Sequence, residues 1–546
     1  MTSPRSLTGK KWSAAKADVS AKDIVEHIAN ARGLLGDGSL PDVGAFGDFS
    51  KARDMLRVAI AEKKVIGVFG DYDCDGITGV AQIARLLRRR GEEPVLRLPH
   101  RKDEGYGLKP AHIAELAKQG VQLLITVDTG VSCPEAMDAA RERGMQTIII
   151  DHHRMPAIPA KPDALLHPML DMQGQNAHPS ASGLCFAFVA AYEASEGNDA
   201  WEGYEEDLLL GTLGTIADLV PLLGVNRSLV RAGLAVIPHI QNPLAEFLTR
   251  ANVGKGATAR DLAFRVAPRI NAAGRMSDPT IALRGLLGDV SALEELDALN
   301  VSRQEFVQEL LEESLSSIDV TQPLIASMNE KYTPGVVGLV AGKLTEAHGR
   351  PSMIASIEGD TCTASLRSIP QYDITAGLTT IGELFVSFGG HAQAAGCTFT
   401  KSNYQKIVEG LNADIRSKLD PEDLVPELQI DAELDAKDVT SALCDALTKL
   451  EPFGQNNPEP RFVIKNATLA ELKLCGAEKT HVQFRMGSVK AIGFRLGHIV
   501  PKMSPEERFD VACRLSINIW NGQRFPQIFV DDIRVAVAEK AELPIG

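Results

Sequence analysis

The chain has 546 residues, 44% of them hydrophobic, with a formal charge of −14 and eight cysteines. Length predicts about three or four domains; no apolar run nears the roughly 18 residues of a membrane span, and scattered cysteines without a CxxC pair exclude a disulfide framework and a zinc ribbon. The acidic balance argues against a surface that grips polyanions nonspecifically, but it leaves room for a cleft with its own field and for acids that a metal would neutralise.

Residues 1–45 read as a polar lead-in with one helix at 22–34. Its basic residues have no apolar stretch behind them, so no secretory signal is predicted and the cytoplasm is the expected compartment. From about 46 to 235 the pattern alternates: helix 51–62, strand 65–70, helix 76–90, strand 93–98, helix 110–119, strand 121–128, helix 134–143 and strand 145–151, then helices 182–195 and 204–212. Strands separated by helices of this length imply βαβ units and a parallel sheet. The stretch 236–321 is helix-rich and ends in a long helix, 291–318, with Leu293, Leu296, Leu299, Phe306 and Leu310 at helical spacing. A smaller α/β unit follows at 322–420. Within 421–546, β-branched runs at 461–474, 481–494, 509–520 and 527–537 predict a small β-barrel.

Three of the apolar runs deliver acids or imidazoles at their ends. The first runs into Asp71, Asp73 and Asp75, whose alternation in an extended segment turns all three to one side, with Tyr72 and Cys74 turned back. Three like charges on one face repel unless a cation lies among them, and capping the helix that starts near Ile77 needs one Asp, not three. Asp128 ends the next run, where by itself it would serve equally as a helix cap. Asp151-His152-His153 follows Ile148-Ile149-Ile150, and neutral imidazole is a frequent metal ligand. Asp218 stands at a helix-to-loop transition, the expected position of a closing ligand. In an open parallel sheet such strand ends meet at one crevice. Hard oxygens with a histidine there describe a divalent-metal site suited to phosphate chemistry.

The segments DYDCDG (71–76), VDTG (127–130), DHH (151–153) and GTIADLVPL (214–222) resemble, in order and spacing, the four motifs of the DHH phosphoesterase superfamily. RVAPRINAAGRMSDP (265–279) and SFGGHAQAAG (387–396) resemble its RecJ single-strand exonuclease branch, the latter through a DHHA1 domain. PFGQNNPEPRF (452–462) and INIWNGQ (517–523) resemble the RecJ OB-fold. The chain departs from the family pattern at Cys74, Thr129, the stretch 332–335 and Leu366, none of them a ligand position.

The resemblance implies an α/β protein: a parallel-sheet DHH domain, joined by a long helix to a smaller α/β DHHA1 domain, then a C-terminal OB-fold barrel. It implies two Mn²⁺ or Mg²⁺ ions, one on Asp75, Asp128, His152 and Asp218, the other on Asp73, Asp128 and Asp71, with Asp128 bridging. His153 would donate to a phosphate oxygen or the leaving group, or else orient its neighbour. Ser365 and Arg367 would fork a 5′-terminal phosphate with Arg101 from the first lobe. Gly389 and Gly390, ahead of His391, would let a nucleic-acid backbone come close, and Arg269, Asn271, Arg275, Arg303 and Gln304 would touch the strand. Arg88, Arg89 and Arg90 read instead as a solvated helix end, and Phe484, Phe494 and Trp520 are divided between base stacking and core. The function implied is 5′→3′ hydrolysis of single-stranded DNA to nucleoside 5′-monophosphates in repair and recombination, by a monomer working with a single-strand-binding protein and a helicase. The rivals are a DHH phosphodiesterase acting on short oligonucleotides or cyclic dinucleotides, and a non-catalytic replication scaffold.

Overall fold

The computed structural model describes residues 5–13, 20–34, 40, 47–168, 178–241, 243–504 and 506–536. In the first lobe β1 (Ile66–Gly70), β2 (Val95–Arg97), β3 (Leu123–Val127), β4 (Gln146–Ile150) and β5 (Ala164–Leu166) form an all-parallel sheet in the order β2-β1-β3-β4-β5. Parallel sheets covered on both faces need continuous apolar strands, and every residue of β1 and β3 is buried. Burying each isoleucine of β4 contributes roughly 2 kcal/mol. The strand order reverses between β1 and β3, so a crevice opens at their C-terminal ends.

Helices α1 (Cys74–Arg89), α2 (Ala181–Ser195) and α3 (Tyr204–Ala217) pack together in the same core. Helix α1 begins two residues before the expected Gly76. Its basic end is not simply solvated. Arg88 pairs with Glu93 in the open, but Arg89 reaches the buried Glu193 and Asp207 (3.0 and 2.8 Å), and Arg90 also pairs with Glu193. Helices α4 (Gly224–Val236) and α5 (Ala267–Met276) lead to the long α6 (Val290–Ser317), close to the expected span.

The second lobe is a mixed sheet of β6 (Ile325–Asn329), β7 (Ser352–Glu358), β8 (Thr361–Arg367), β9 (Ser387–His391) and β10 (Ala394–Thr400), in the order β9-β10-β8-β7-β6, with α7 (Val337–His348) packed on it. The last unit contains α8 (Ser441–Leu447) and a seven-stranded sheet. Its strands β11 (Ala432–Glu433), β12 (Phe462–Ala467), β13 (Ala470–Cys475), β14 (His481–Met486), β15 (Val489–Gly493), β16 (Phe509–Trp520) and β17 (Gln523–Val535) run in the order β11-β12-β16-β17-β15-β14-β13, as in an OB fold. Two runs expected as single strands are each divided: 461–474 breaks at 468–469, just after a register irregularity at Asn466, and 481–494 folds into a hairpin at Gly487; Asn466 and Gly487 both have positive φ. Val537, the expected end of the last strand, lies outside the described residues.

The lead-in is not a separate piece. Lys11–Trp12 pairs in parallel with Glu427–Leu428, the Trp12 indole donates to Asp532 (2.9 Å), and Ile24 and Ile28 of the lead-in helix (Ile24–Ala31) share a core with Phe462, Phe484 and Ile528. Residues 1–4, 14–19, 35–39 and 41–45 of it lie outside the described residues. Among the described residues no helix is long and apolar enough to cross a membrane.

Candidate active site

Asp71 follows β1, and the chain turns at once into α1, so the extended segment expected for the three alternating acids does not form. Asp73 caps the helix, its Oδ1 accepting from the amides of Asp75 (3.0 Å) and Gly76 (3.2 Å). The turn requires a glycine, since a Cβ on Gly76 would stand 2.6 Å from the Asp71 carbonyl oxygen. Asp75 therefore lies in the first turn of α1. Its carboxylate accepts from the Ala181 (2.8 Å) and Ser182 (2.9 Å) amides at the start of α2, where the helix dipole favours negative charge. Asp128 follows β3 with φ 60°, a strained conformation for a residue with a side chain. Its amide donates to Ile150 of β4 (2.9 Å). Asp218 is the C-cap of α3, and Leu219 beside it also has positive φ.

These elements bring the expected ligands together. His152 Nε2 lies 3.2 Å from Asp128, 3.7 Å from Asp75 and 3.6 Å from Asp218. Ligand atoms of Asp75, His152 and Asp218 fall within 4.8 Å of one another, and so do those of Asp71, Asp73 and Asp128, and of Asp128, His152 and His153. Asp71 Oδ1, Asp128 Oδ1 and His152 Nε2 are buried without a hydrogen-bond partner. Three such orphaned atoms in one spot cost several kcal/mol unless a cation satisfies them. The donor set fits a divalent ion.

The electrostatics say the same. Burial, then Asp73, holds Asp71 well above the usual carboxylate range, and burial, then Asp75, Asp73 and Asp71, does the same to Asp128. Burial, then Asp73, pushes Asp75 up to about 7; burial, then Asp75 and Asp73, pushes Asp218 up to about 9. Burial, then His153, lowers His152 to about 3, leaving a neutral ring with a free lone pair. For His153, burial is outweighed by Asp151, which raises it to about 9 and makes it a charged donor.

Two contributors escaped the sequence reading. Asp151 does not join the cage: it accepts from the His152 and His153 amides (2.8 and 3.1 Å) and from His153 Nδ1 (2.8 Å), so it orients the histidine pair. The Tyr106 hydroxyl stands 3.3 Å from the His153 ring nitrogens and donates to the Asp128 carbonyl (3.4 Å). Glu104 braces that loop through the Arg97 guanidinium (2.5 Å) and the His100 amide (2.5 Å). The only sequence signal was the pair of glycines flanking Tyr106, both at positive φ.

Arginines gather beside the cage. Arg101 stacks on Tyr72 (4.8 Å), and with Arg275 it lines a cavity of about 250 Å³ between the lobes. Arg275 donates to the Gly335 carbonyl (3.1 Å); burial, then Arg101 and Arg303, brings it down to about 9. Burial and Arg101 also lower Arg367. Arg367 Nη1 donates to Ser365 Oγ (3.0 Å), and both stand at the N-terminal end of α7, where a Cβ on Gly338 would come 3.0 Å from each side chain. A helix start beside clustered guanidinium groups favours an anion. Register puts Arg367 opposite Ala394, which in turn faces His391, and Ser365 opposite Gly396, which in turn faces Gly389. These residues share one face of the sheet, with small residues down its middle. Gly389 has open space around it, whereas Gly390 is required by its own hairpin, since a Cβ would strike Ala394 and Ala395.

The remaining expected strand contacts have the following surroundings. Arg269 is held by Asp297 (2.7 Å), and the Asn271 side-chain oxygen accepts from the Cys74 amide (3.0 Å), bracing the start of α1. Gln304 is exposed on α6, and Arg303 donates to Asn300 (2.9 Å). Phe484 is core, whereas Phe494 (55%) and Trp520 (67%) are exposed.

Three family models match the chain: the DHH family N-terminal domain over 65–212, the DHHA1 domain over 321–417 and the RecJ OB domain over 430–532. Over 522 residues the chain is 31% identical to the single-stranded-DNA-specific exonuclease RecJ of Escherichia coli, covering 88% of this chain and 89% of that protein. To the RecJ of Bacillus subtilis it is 31% identical over 89% of its own length, but it spans only 63% of that protein. The crystal structure of RecJ in complex with Mn²⁺ from Thermus thermophilus superposes with a TM-score of 0.84 at 27% identity, covering 97% of this chain and 80% of that one.

Proposed function

The chain belongs to the RecJ family of single-stranded-DNA-specific exonucleases, and from that premise we propose that it is a Mn²⁺- or Mg²⁺-dependent enzyme that hydrolyses single-stranded DNA from the 5′ end to nucleoside 5′-monophosphates, in repair and recombination. The observation that carries the reading is the set of orphaned buried atoms on Asp71, Asp128 and His152. Asp75, Asp128, His152 and Asp218 would hold one ion, and Asp71, Asp73 and Asp128 the other. Bound divalent cations lower the pKa of an attacking water and neutralise charge on an in-line phosphoryl transition state. His153, kept protonated by Asp151, donates to a phosphate oxygen or the leaving group, and Tyr106 holds its ring in place.

Arg101, Arg275 and Arg367, with Ser365 at the start of α7, take the terminal 5′-phosphate, so the scissile bond one nucleotide along falls over the cage. Capture of that phosphate would set both polarity and product. The face carrying Gly389 and His391 receives the strand behind it. We divide the chain at about 235, 321 and 420 into catalytic lobe, connector, second lobe and barrel. The barrel argues against a dinucleotide substrate, which needs no strand-holding domain. We also read the chain as a cytoplasmic monomer, its single strands opened by a helicase and covered by a single-strand-binding protein.

The test is a product-length time course on single-stranded DNA labelled separately at each end, with Mn²⁺. Mononucleotide release from the 5′ label with late loss of the 3′ label is expected. Early release from the 3′ end would overturn the assignment.

A further inference from the structure

Asp218 differs from the other acids of the cage in what holds it. Asp71 and Asp128 follow buried strands, and Asp73 and Asp75 each accept two amide hydrogen bonds. Asp218 stands where α3 ends; among the described residues its carboxylate accepts no hydrogen bond, and its side chain is 26% exposed. Leu219 takes a left-handed φ of 59° with its side chain in the open, so its own packing does not enforce that conformation. The aim of the Asp218 carboxylate is therefore set by whatever fixes the backbone through 219–223.

That backbone is gripped from the barrel unit. The Leu222 amide donates to the Gln455 carbonyl (2.9 Å), and a Cβ on Gly454 would stand 2.6 Å from Leu222 Cδ1, so loop and segment are in close contact. Arg227, in the first turn of α4, donates to the Lys449 (2.8 Å) and Glu451 (2.9 Å) carbonyls at the root of the same loop. Asn226 beside it donates to the Pro221 carbonyl (3.1 Å). The loop in turn is built around the buried Asn457. Its Nδ2 donates to the Leu450 (2.8 Å) and Pro452 (2.9 Å) carbonyls, its Oδ1 accepts from Arg32 at the end of the lead-in helix (2.9 Å), and its backbone bridges to Gly454. A buried amide that satisfies three groups at once gives a fixed shape to a loop without helix or strand.

We propose that this loop, PFGQNN (452–457), is part of the metal site, with Asn457 a positioning residue that aims Asp218 through the Gln455 carbonyl and Leu222. The inference rests on the two-ion reading and goes beyond it, because it gives the barrel unit a part in the chemistry besides holding the strand. Asn457 shapes the loop, Gln455 fixes Leu222, and the segment before Leu222 carries the end of α3. Partners that orient a ligand in this way tune metal affinity without touching the ion. The effect falls on the ion held by Asp75, Asp128, His152 and Asp218. The ion held by Asp71, Asp73 and Asp128 depends on β1, α1 and β3 instead.

The experiment titrates Mn²⁺ by calorimetry into the full chain as wild type, Asn457→Ala and Gly454→Ala, and measures kcat and KM on single-stranded DNA. Asn457→Ala weakens one of the two ions about tenfold and leaves the other within about twofold, while kcat falls and KM holds. Gly454→Ala keeps Asn457 and presses only on Leu222; it weakens the same ion, and it carries the test if loss of the buried amide unfolds the barrel unit. In an Asp218→Asn background Asn457→Ala adds nothing further, because both changes act through one carboxylate. With two ions on the wild type, unchanged affinities in the folded variants, equal weakening of both ions, or full additivity with Asp218→Asn would overturn this proposal alone. Fewer than two ions on the wild type would overturn the two-ion reading and the proposal together.

Discussion

Asp218→Asn should make the metal-free protein more stable, although it damages the metal site. Asp75 also anchors α2 through two amides, whereas Asp218 caps α3 only through its backbone, so changing it isolates the charge. In the folded chain Asp218 titrates at about 9, against 3.8 for an ordinary Asp. A carboxyl raised on folding weakens the fold once pH exceeds its unfolded value, and the cost grows until the folded value is reached. At about pH 7.5 the difference is somewhat under four units, a ceiling near 5 kcal/mol at about 1.4 kcal/mol per unit. Solvent at a side chain 26% exposed brings the expected gain to roughly 3 kcal/mol. For a lobe of this size that is a rise in Tm of roughly 6–10 °C, shrinking to a few degrees near pH 5. Thermal melts in excess chelator, then in saturating Mn²⁺, give the readout. With Mn²⁺ the order should reverse, because wild type gains more from the ion than the variant does. A chelated variant that melts at or below wild type, or a gain indifferent to pH, would mean that the Asp218 charge does not destabilise the metal-free fold.

Asp128→Ala should lower cleavage more than about a thousandfold, with DNA affinity by anisotropy within about twofold of wild type. Arg367→Ala should cost about 10- to 100-fold in kcat/KM on 5′-phosphorylated strands and little on 5′-hydroxyl strands; equal losses on both would contradict the terminal-phosphate role. Arg269→Ala should lower stability by about 1 kcal/mol or less, through the lost pair with Asp297, and leave KM for single-stranded DNA unchanged.

Much of the first lobe was legible because a doubly covered parallel sheet writes itself as uninterrupted apolar runs. The Ile148–Ile150 run and the Leu123–Val127 run are such strands. Strand β5 was not readable, being three residues long with no periodicity to detect. The acids were found by type and position, but not by conformation. Alternation suggested an extended segment, and the Asp73 cap with Gly76 instead turned the chain into a helix that still brings the carboxylates together. Contacts between distant parts of the chain left no local trace. The lead-in belongs to the barrel through Trp12 and Asp532, 520 positions apart, and Asn271 braces α1 from 197 positions away. Arginines are ambiguous in sequence for the same reason: Arg269 and Arg275 share a motif, yet one meets an acid and the other meets arginines.

The two-ion cage is tested most sharply by a Mn²⁺ titration followed by electron paramagnetic resonance. Two ions per chain with a spin-coupled signal, lost in Asp128→Ala, are predicted. A single isolated Mn²⁺ signal, or a coupled pair that survives that substitution, would contradict it.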